Sequence, residues 1–184
     1  MATNTVKILG KDIRKQLLWG LALIPIIMLL FTSTALAKLA GFIALVVFNA
    51  VFSFFHVRLR VPLDITPLTL SLLITGYFFG LWAVIVLFIF GGLLPGILAG
   101  SGLGPSSFVY IPLNIGLGII FPMFAHSLVF SLFIFLLLYA FLIFIIDGFF
   151  FSSFVRSLAM AAGFLLTNLI YLAVVWRIQT FFAK

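Results

Sequence analysis

Long apolar runs, broken by short polar or glycine- and proline-containing stretches, set the pattern of this chain. The first fourteen or so residues are polar and basic, with Lys7, Lys11, Arg14 and Lys15, and an apolar run follows from Leu17 to Phe31. It breaks at Thr32-Ser33-Thr34, and Lys38 precedes a second run over 39–55. A polar window, HVRLRVPLDITP at 56–67, comes next. The third run, Pro67 to Phe79, would reach only about 20 Å as a helix, against a hydrocarbon core of roughly 30 Å. It therefore either starts inside the polar window or does not span alone. Gly80 separates it from a run over 81–99, and GSGLGPSS at 100–107 is a turn-rich break. A fifth run covers 108–124, with Pro112 inside it and Pro122 near its end. A sixth, free of Gly and Pro, covers 126–146 and is closed by Asp147-Gly148. The last runs from about Phe154 to Trp176, before Arg177 and Lys184. None of these solid runs shows the period-2 alternation of a membrane barrel, so the pattern predicts helices.

Composition turns that pattern into a class. Hydrophobic residues make up 66% of the 184 and charged residues 7%, with a mean hydropathy of +1.46, whereas soluble domains carry about 25% charged residues. The expectation is an all-α integral membrane protein, multi-pass in the cell membrane, with six or seven spans and too little left for a soluble domain. Residues 1–38 read as a basic N-terminus with an apolar anchor or interfacial segment, and 39–184 as the helical transmembrane core. The order of basic, apolar and small residues over the first 37 positions also fits a secretory signal, and a retained anchor explains it equally. The net charge of +7 sits at the ends of apolar runs, where it orients helices and meets lipid headgroups. Nucleic acid is therefore not implied.

The chemistry on offer is sparse. There is no cysteine, and two histidines and three acidic residues are too scattered to spell a metal site. No Walker loop or zincin pair is present, so the chain is expected to be neither an ATPase nor another enzyme, and to need no cofactor. Ser101 and His126 supply parts of a serine intramembrane protease without its spacing. Charges against a bilayer cost roughly 2.5–3.5 kcal/mol each at its centre, which makes Arg58, Arg60, Asp64, Asp147 and Arg156 functional candidates. Their plainer readings are topology signals for the arginines, a local ion pair for Asp64, and loop charges for Asp147 and Arg156. Asn114 and Asn168 sit in apolar runs and must find partners there, most simply across helices. Small residues recur every four positions at Gly92, Gly96 and Gly100, at Ala40 and Ala44, at Gly76 and Gly80, and at Ala159, Gly163 and Thr167. On one helix face they permit close packing within the chain or against a partner.

Ala40 and Ala44 lead into Arg58-Leu59-Arg60-Val61-Pro62-Leu63-Asp64-Ile65-Thr66-Pro67-Leu68. A short apolar helix ending in Gly76-x-x-x-Gly80 and a glycine-rich helix follow. This order resembles the substrate-binding S subunits of energy-coupling-factor vitamin transporters, and Pro112-Leu113-Asn114 with Gly116 and Gly118 is similar to the fourth core helix of that family. The resemblance implies a six-helix core that captures a small solute at the outer face and depends on separate coupling and ATPase subunits. It implies a first loop that takes part in binding, with Ala40 and Ala44 docking the transmembrane coupling subunit. The segment 17–37 is extra to that pattern. Residues 88–110, FIFGGLLPGILAGSGLGPSSFVY, also resemble the glycine-rich stretch of the rod-shape-determining D-type subunits, non-enzymatic scaffolds of cell-wall elongation. Pro95 and apolar neighbours stand where that family usually has an acid.

Charge counting leaves two topologies. Seven spans with the N-terminus inside place Lys7, Lys11, Arg14, Lys15, Arg58, Arg60 and Arg156 inside and Lys38, Arg177 and Lys184 outside. If 17–37 does not cross, Lys38, Arg177 and Lys184 join the four N-terminal charges inside, while Arg58, Arg60 and Arg156 lie outside. The positive-inside bias is the same in both. In the second, Asp64 and Asp147 join the outer arginines, and Tyr110 and Asn114 line the outer end of their helix. The expected solute ligands are thus Arg58, Arg60, Asp64, Tyr110, Asn114, Asp147 and Arg156, a convergent polar group of the kind a small-molecule pocket needs.

Overall fold

A computed structural model of the chain describes residues 23–30, 32, 34–58, 67–104, 107–150 and 154–182. The elements are α1 (Leu23–Leu30), α2 (Ala35–Arg58), α3 (Leu68–Phe79), α4 (Leu81–Leu98), α5 (Ser107–Phe124), α6 (Leu128–Phe150) and α7 (Phe154–Phe182), with no strand among the described residues. Five of these, α2 and α4 to α7, are long and apolar enough to cross a membrane. The protein is an all-α membrane protein.

The third run behaves as its length demands. At twelve residues α3 rises about 18 Å, and it is enclosed by α2, α4, α5, α6 and α7. Every residue from Thr69 to Gly76 is buried. Gly80, at φ 78°, turns the chain sharply enough for α4 to run back along α3. Val84 lies against Gly76, and Leu68 lies against Gly92, so the two helices form a hairpin symmetric about Gly80. On the other sides, Phe42 stacks near Phe79 with ring centroids 5.2 Å apart, and Asn49 bonds Ser71, so α2 is antiparallel to α3. Thr69 bonds Asn114 and Tyr77 meets Phe121 at 6.5 Å, so α5 is parallel to α3. Phe121 against Phe135 at 5.2 Å and Asn114 against Tyr139 make α6 antiparallel to α5. Phe144 against Phe154 at 4.9 Å and Tyr139 against Phe164 at 5.0 Å return α7 along α6.

These pairings sort the charged residues. Arg58, the turn after Leu98, Tyr110, Asp147 and Arg156 lie at one end of the bundle. Lys38, Gly80, His126 and Arg177 lie at the other. The eight residues of α1 fold back on α2, where Leu29 and Leu30 cover Gly41, and also touch α7. Residues 1–22, on which an anchor or signal reading of 17–37 turns, lie outside the described residues.

Two expectations change. The sixth run does not close at Asp147-Gly148: α6 continues to Phe150, because Ser157 gives the Asp147 carboxylate a partner inside the helix pair. Asp147 is therefore a buried helical residue rather than a loop charge. The four-residue glycine pairs are not continuous helix faces either. Gly80 and Gly100 occupy turns at positive φ, and α4 widens into a π-helical stretch over Phe88–Leu93, which rotates the positions beyond it.

Gly76 and Gly118 are where α3 and α5 come closest, since a methyl group on Gly76 would overlap the Gly118 carbonyl oxygen. Gly76→Ala should lower stability by about 1–3 kcal/mol in detergent unfolding. Gly116→Ala, which meets nothing within 4 Å, should be neutral or mildly stabilising. Single cysteines replacing Arg58 and Arg156 should react with an impermeant thiol reagent from one side of the membrane. Those replacing Lys38 and Arg177 should react only from the other.

Candidate functional site

The end of the bundle that carries Arg58 and Arg156 is built around the start of α3. Leu68 lies level with Gly92, six residues before the last residue of α4, and Thr69 lies beside Asn114, seven residues into α5. At a 1.5 Å rise, α3 begins roughly 9–10 Å below the rim formed by α2, α4 and α5. Residues 59–66 connect Arg58 to Pro67 in the sequence. Arg60 and Asp64 belong to this segment and lie outside the described residues.

The remaining candidates divide into exposed charges and internal links. Arg58, the last residue of α2, and Arg156, in the first turn of α7, are both exposed. Asp147 is buried, and Ser157 Oγ donates to its Oδ2 at 2.9 Å. This bond ties the arginine-bearing ends of α6 and α7 together. Tyr110 is half-buried in the first turn of α5. Asn114 sits one turn deeper and is occupied in the framework: its Nδ2 donates to the Tyr110 carbonyl at 2.9 Å and to the Tyr139 hydroxyl oxygen at 2.8 Å. Thr69 Oγ1 donates to its Oδ1 at 3.2 Å. One asparagine thus joins α3, α5 and α6 just below the rim. Asn168 makes no such link, because its amide donates to Phe164 O within its own helix. Ala40 is exposed and Ala44 half-buried on the outward side of α2, among the exposed Leu36, Leu39, Ile43 and Val47.

Further polar residues, unremarked in the sequence pattern, surround α3. Asn49 Nδ2 donates to Ser71 Oγ at 3.0 Å and to Leu45 O at 2.9 Å. Ser53 Oγ donates to Gly91 O at 3.0 Å. Pro95 explains the second bond: it has no N–H to offer the carbonyl four residues earlier, and Ser53 supplies the donor instead. Asn49 with Ser53, and Ser71 with Thr75, are polar pairs four apart in apolar helices. That spacing places each pair on one face and is the signal that identifies them.

The arrangement offers exposed guanidinium groups at the end where α3 starts below the rim, buried hydroxyls along α3, and among the described residues no cluster of metal-ligating side chains. In comparisons with known proteins, the chain matches no family model, no curated protein and no solved structure.

The Asn114 junction can be measured. In a double-mutant cycle of Asn114→Leu and Tyr139→Phe, the coupling energy should be about 1 kcal/mol, the size typical of hydrogen bonds between membrane helices.

Proposed function

We propose that the protein is the solute-capturing subunit of an importer for a vitamin or similar small molecule in the cell membrane, working with separate coupling and ATP-hydrolysing proteins. One observation carries this reading: helix pairing gathers Arg58, Tyr110, Asp147 and Arg156 at one end of the bundle, over the recessed start of α3. The resemblance of 58–80 and 112–118 to S subunits of energy-coupling-factor transporters supports the same reading.

In this proposal the recessed start of α3 is the floor of the solute site, and 56–67 is its cover. Arg58, Arg60 and Arg156 contact anionic or polar groups of the solute. Asp64 and Asp147 orient those arginines or meet cationic groups, and Tyr110 supplies a neutral hydrogen bond. Asn114 serves chiefly as the fixed support beneath, since both of its amide hydrogens are in use. The sequence has no nucleotide-binding loop, so energy must come from partners.

Thermal unfolding of the purified chain against a panel of vitamins and related solutes tests the proposal. A cognate solute at a hundred times its Kd should stabilise the protein by about 2.7 kcal/mol. The shift should vanish in the Arg58→Ala, Arg60→Ala double variant. A flat response across the panel would favour a scaffold subunit without a pocket, as would labelling of a cysteine at position 60 from the cytoplasmic side.

A further inference from the structure

A second group of polar atoms lies deeper in the bundle, between α2, α3 and α4, and the rim residues take no part in it. Asn49 is 1% exposed and Thr75 0%, yet Asn49 Oδ1 and Thr75 Oγ1 have no hydrogen-bond partner. Both hydrogens of Asn49 Nδ2 are directed to Ser71 Oγ and Leu45 O, so Oδ1 is the atom left over. Thr75 follows Ser71 by one turn on the same face of α3, which puts their Cβ atoms roughly 6 Å apart. In hydrocarbon, with no water to turn to, each such orphan is destabilising.

The wall behind these atoms is backbone. A Cβ on Gly91 would lie 3.1 Å from Asn49 Cβ, closer than side chains ordinarily pack, so glycine lets the π-helical stretch of α4 approach α2. Ser53 holds the Gly91 carbonyl on the same side. The group therefore presents oxygen atoms, an amide carbonyl and two hydroxyls, beside the backbone of a distorted helix. Among the described residues no carboxylate, ammonium or guanidinium belongs to it: α3 and α4 carry no charged residue, and those of α2, Lys38 and Arg58, stand near the two ends of that helix.

We propose that Asn49, Ser71 and Thr75, backed by the π-helical stretch Phe88–Leu93, form a binding site for one sodium ion between α2, α3 and α4. Neutral oxygens within a membrane suit a monovalent cation, and distorted helix backbone is a familiar source of such ligands. A divalent cation would want carboxylates, which the group lacks. Asn49 Oδ1 and Thr75 Oγ1 become ligands in place of orphans. The site stands apart from the solute reading, because sodium should act on the protein with no solute present.

The test is thermal unfolding of the full chain in detergent at constant ionic strength, with NaCl exchanged for choline chloride or KCl. Sodium should raise the Tm saturably over choline. Thr75→Val, which keeps the side-chain shape and removes the oxygen, should weaken the apparent sodium affinity about tenfold, and Asn49→Asp should tighten it by a similar factor. Superimposable curves in NaCl and choline chloride overturn the site, as does a wild-type sodium response in Thr75→Val. An equal response to KCl overturns the assignment to sodium. Should Thr75→Val fail to fold, the Asn49→Asp variant decides, since unchanged sodium affinity there also overturns the proposal.

Discussion

Water is absent from the hydrocarbon core, so each hydroxyl, amide and carbonyl placed there needs a partner within the protein. The short helix α3 concentrates that demand. It is too short to cross alone, it is buried from Thr69 to Gly76, and it carries three hydroxyls through that stretch. Its enclosure by α2, α4, α5, α6 and α7 is the arrangement that keeps lipid away from Thr69 to Gly76. Thr69 is directed to Asn114 on α5, and Ser71 meets Asn49 on α2. Through Asn114 and Tyr139 the same network extends to α6. The bundle is specified by where α3 places its polar groups, with apolar packing filling the space between.

Prolines and glycines act on the same constraint. A proline in a membrane helix removes a donor, and the carbonyl four residues earlier must be satisfied from elsewhere. Pro95 does this to Gly91, whose carbonyl accepts from Ser53. Pro122 does it to Gly118, and there Gly76 brings the backbone of α3 directly against the freed carbonyl. A contact of that closeness allows a weak Cα–H···O interaction that any side chain would forbid. Each of these two prolines thus creates a polar point on a helix surface, and a small or hydroxyl residue on the neighbouring helix meets it. The close approach of α4 to α2 rests on the first of these matches, and that of α3 to α5 on the second.

The charges follow a different logic. Among the described residues two basic side chains stand at each end of the bundle, Arg58 and Arg156 at one and Lys38 and Arg177 at the other. What distinguishes the ends is depth: α3 starts well below the rim at the arginine end, while at the other end it reaches the turn at Gly80. That offset at the end with the exposed guanidinium groups is the physical basis of the solute reading, and the buried Asp147–Ser157 bond holds α6 and α7 together at the same end.

The apolar runs determined the class, the helix count in the core and most helix boundaries, because burying apolar length in lipid is a local property of each segment. Gly80 and GSGLGPSS marked their turns for the same reason, since backbone freedom is local. The end of α6 was misread, because whether Asp147 stops a helix depends on Ser157, a residue of the next helix. Asn114 was legible as a residue needing partners, but not as one already supplied by Thr69, Tyr110 and Tyr139. The π-helical stretch and the orphan oxygens of Asn49 and Thr75 left only a faint four-residue spacing in the sequence. The sequence by itself determined that these helices lie in a membrane and carry a few polar groups. Tertiary structure alone decided which of those groups meet, because a hydrogen bond between helices depends on depth, rotation and register together, and no single segment encodes all three.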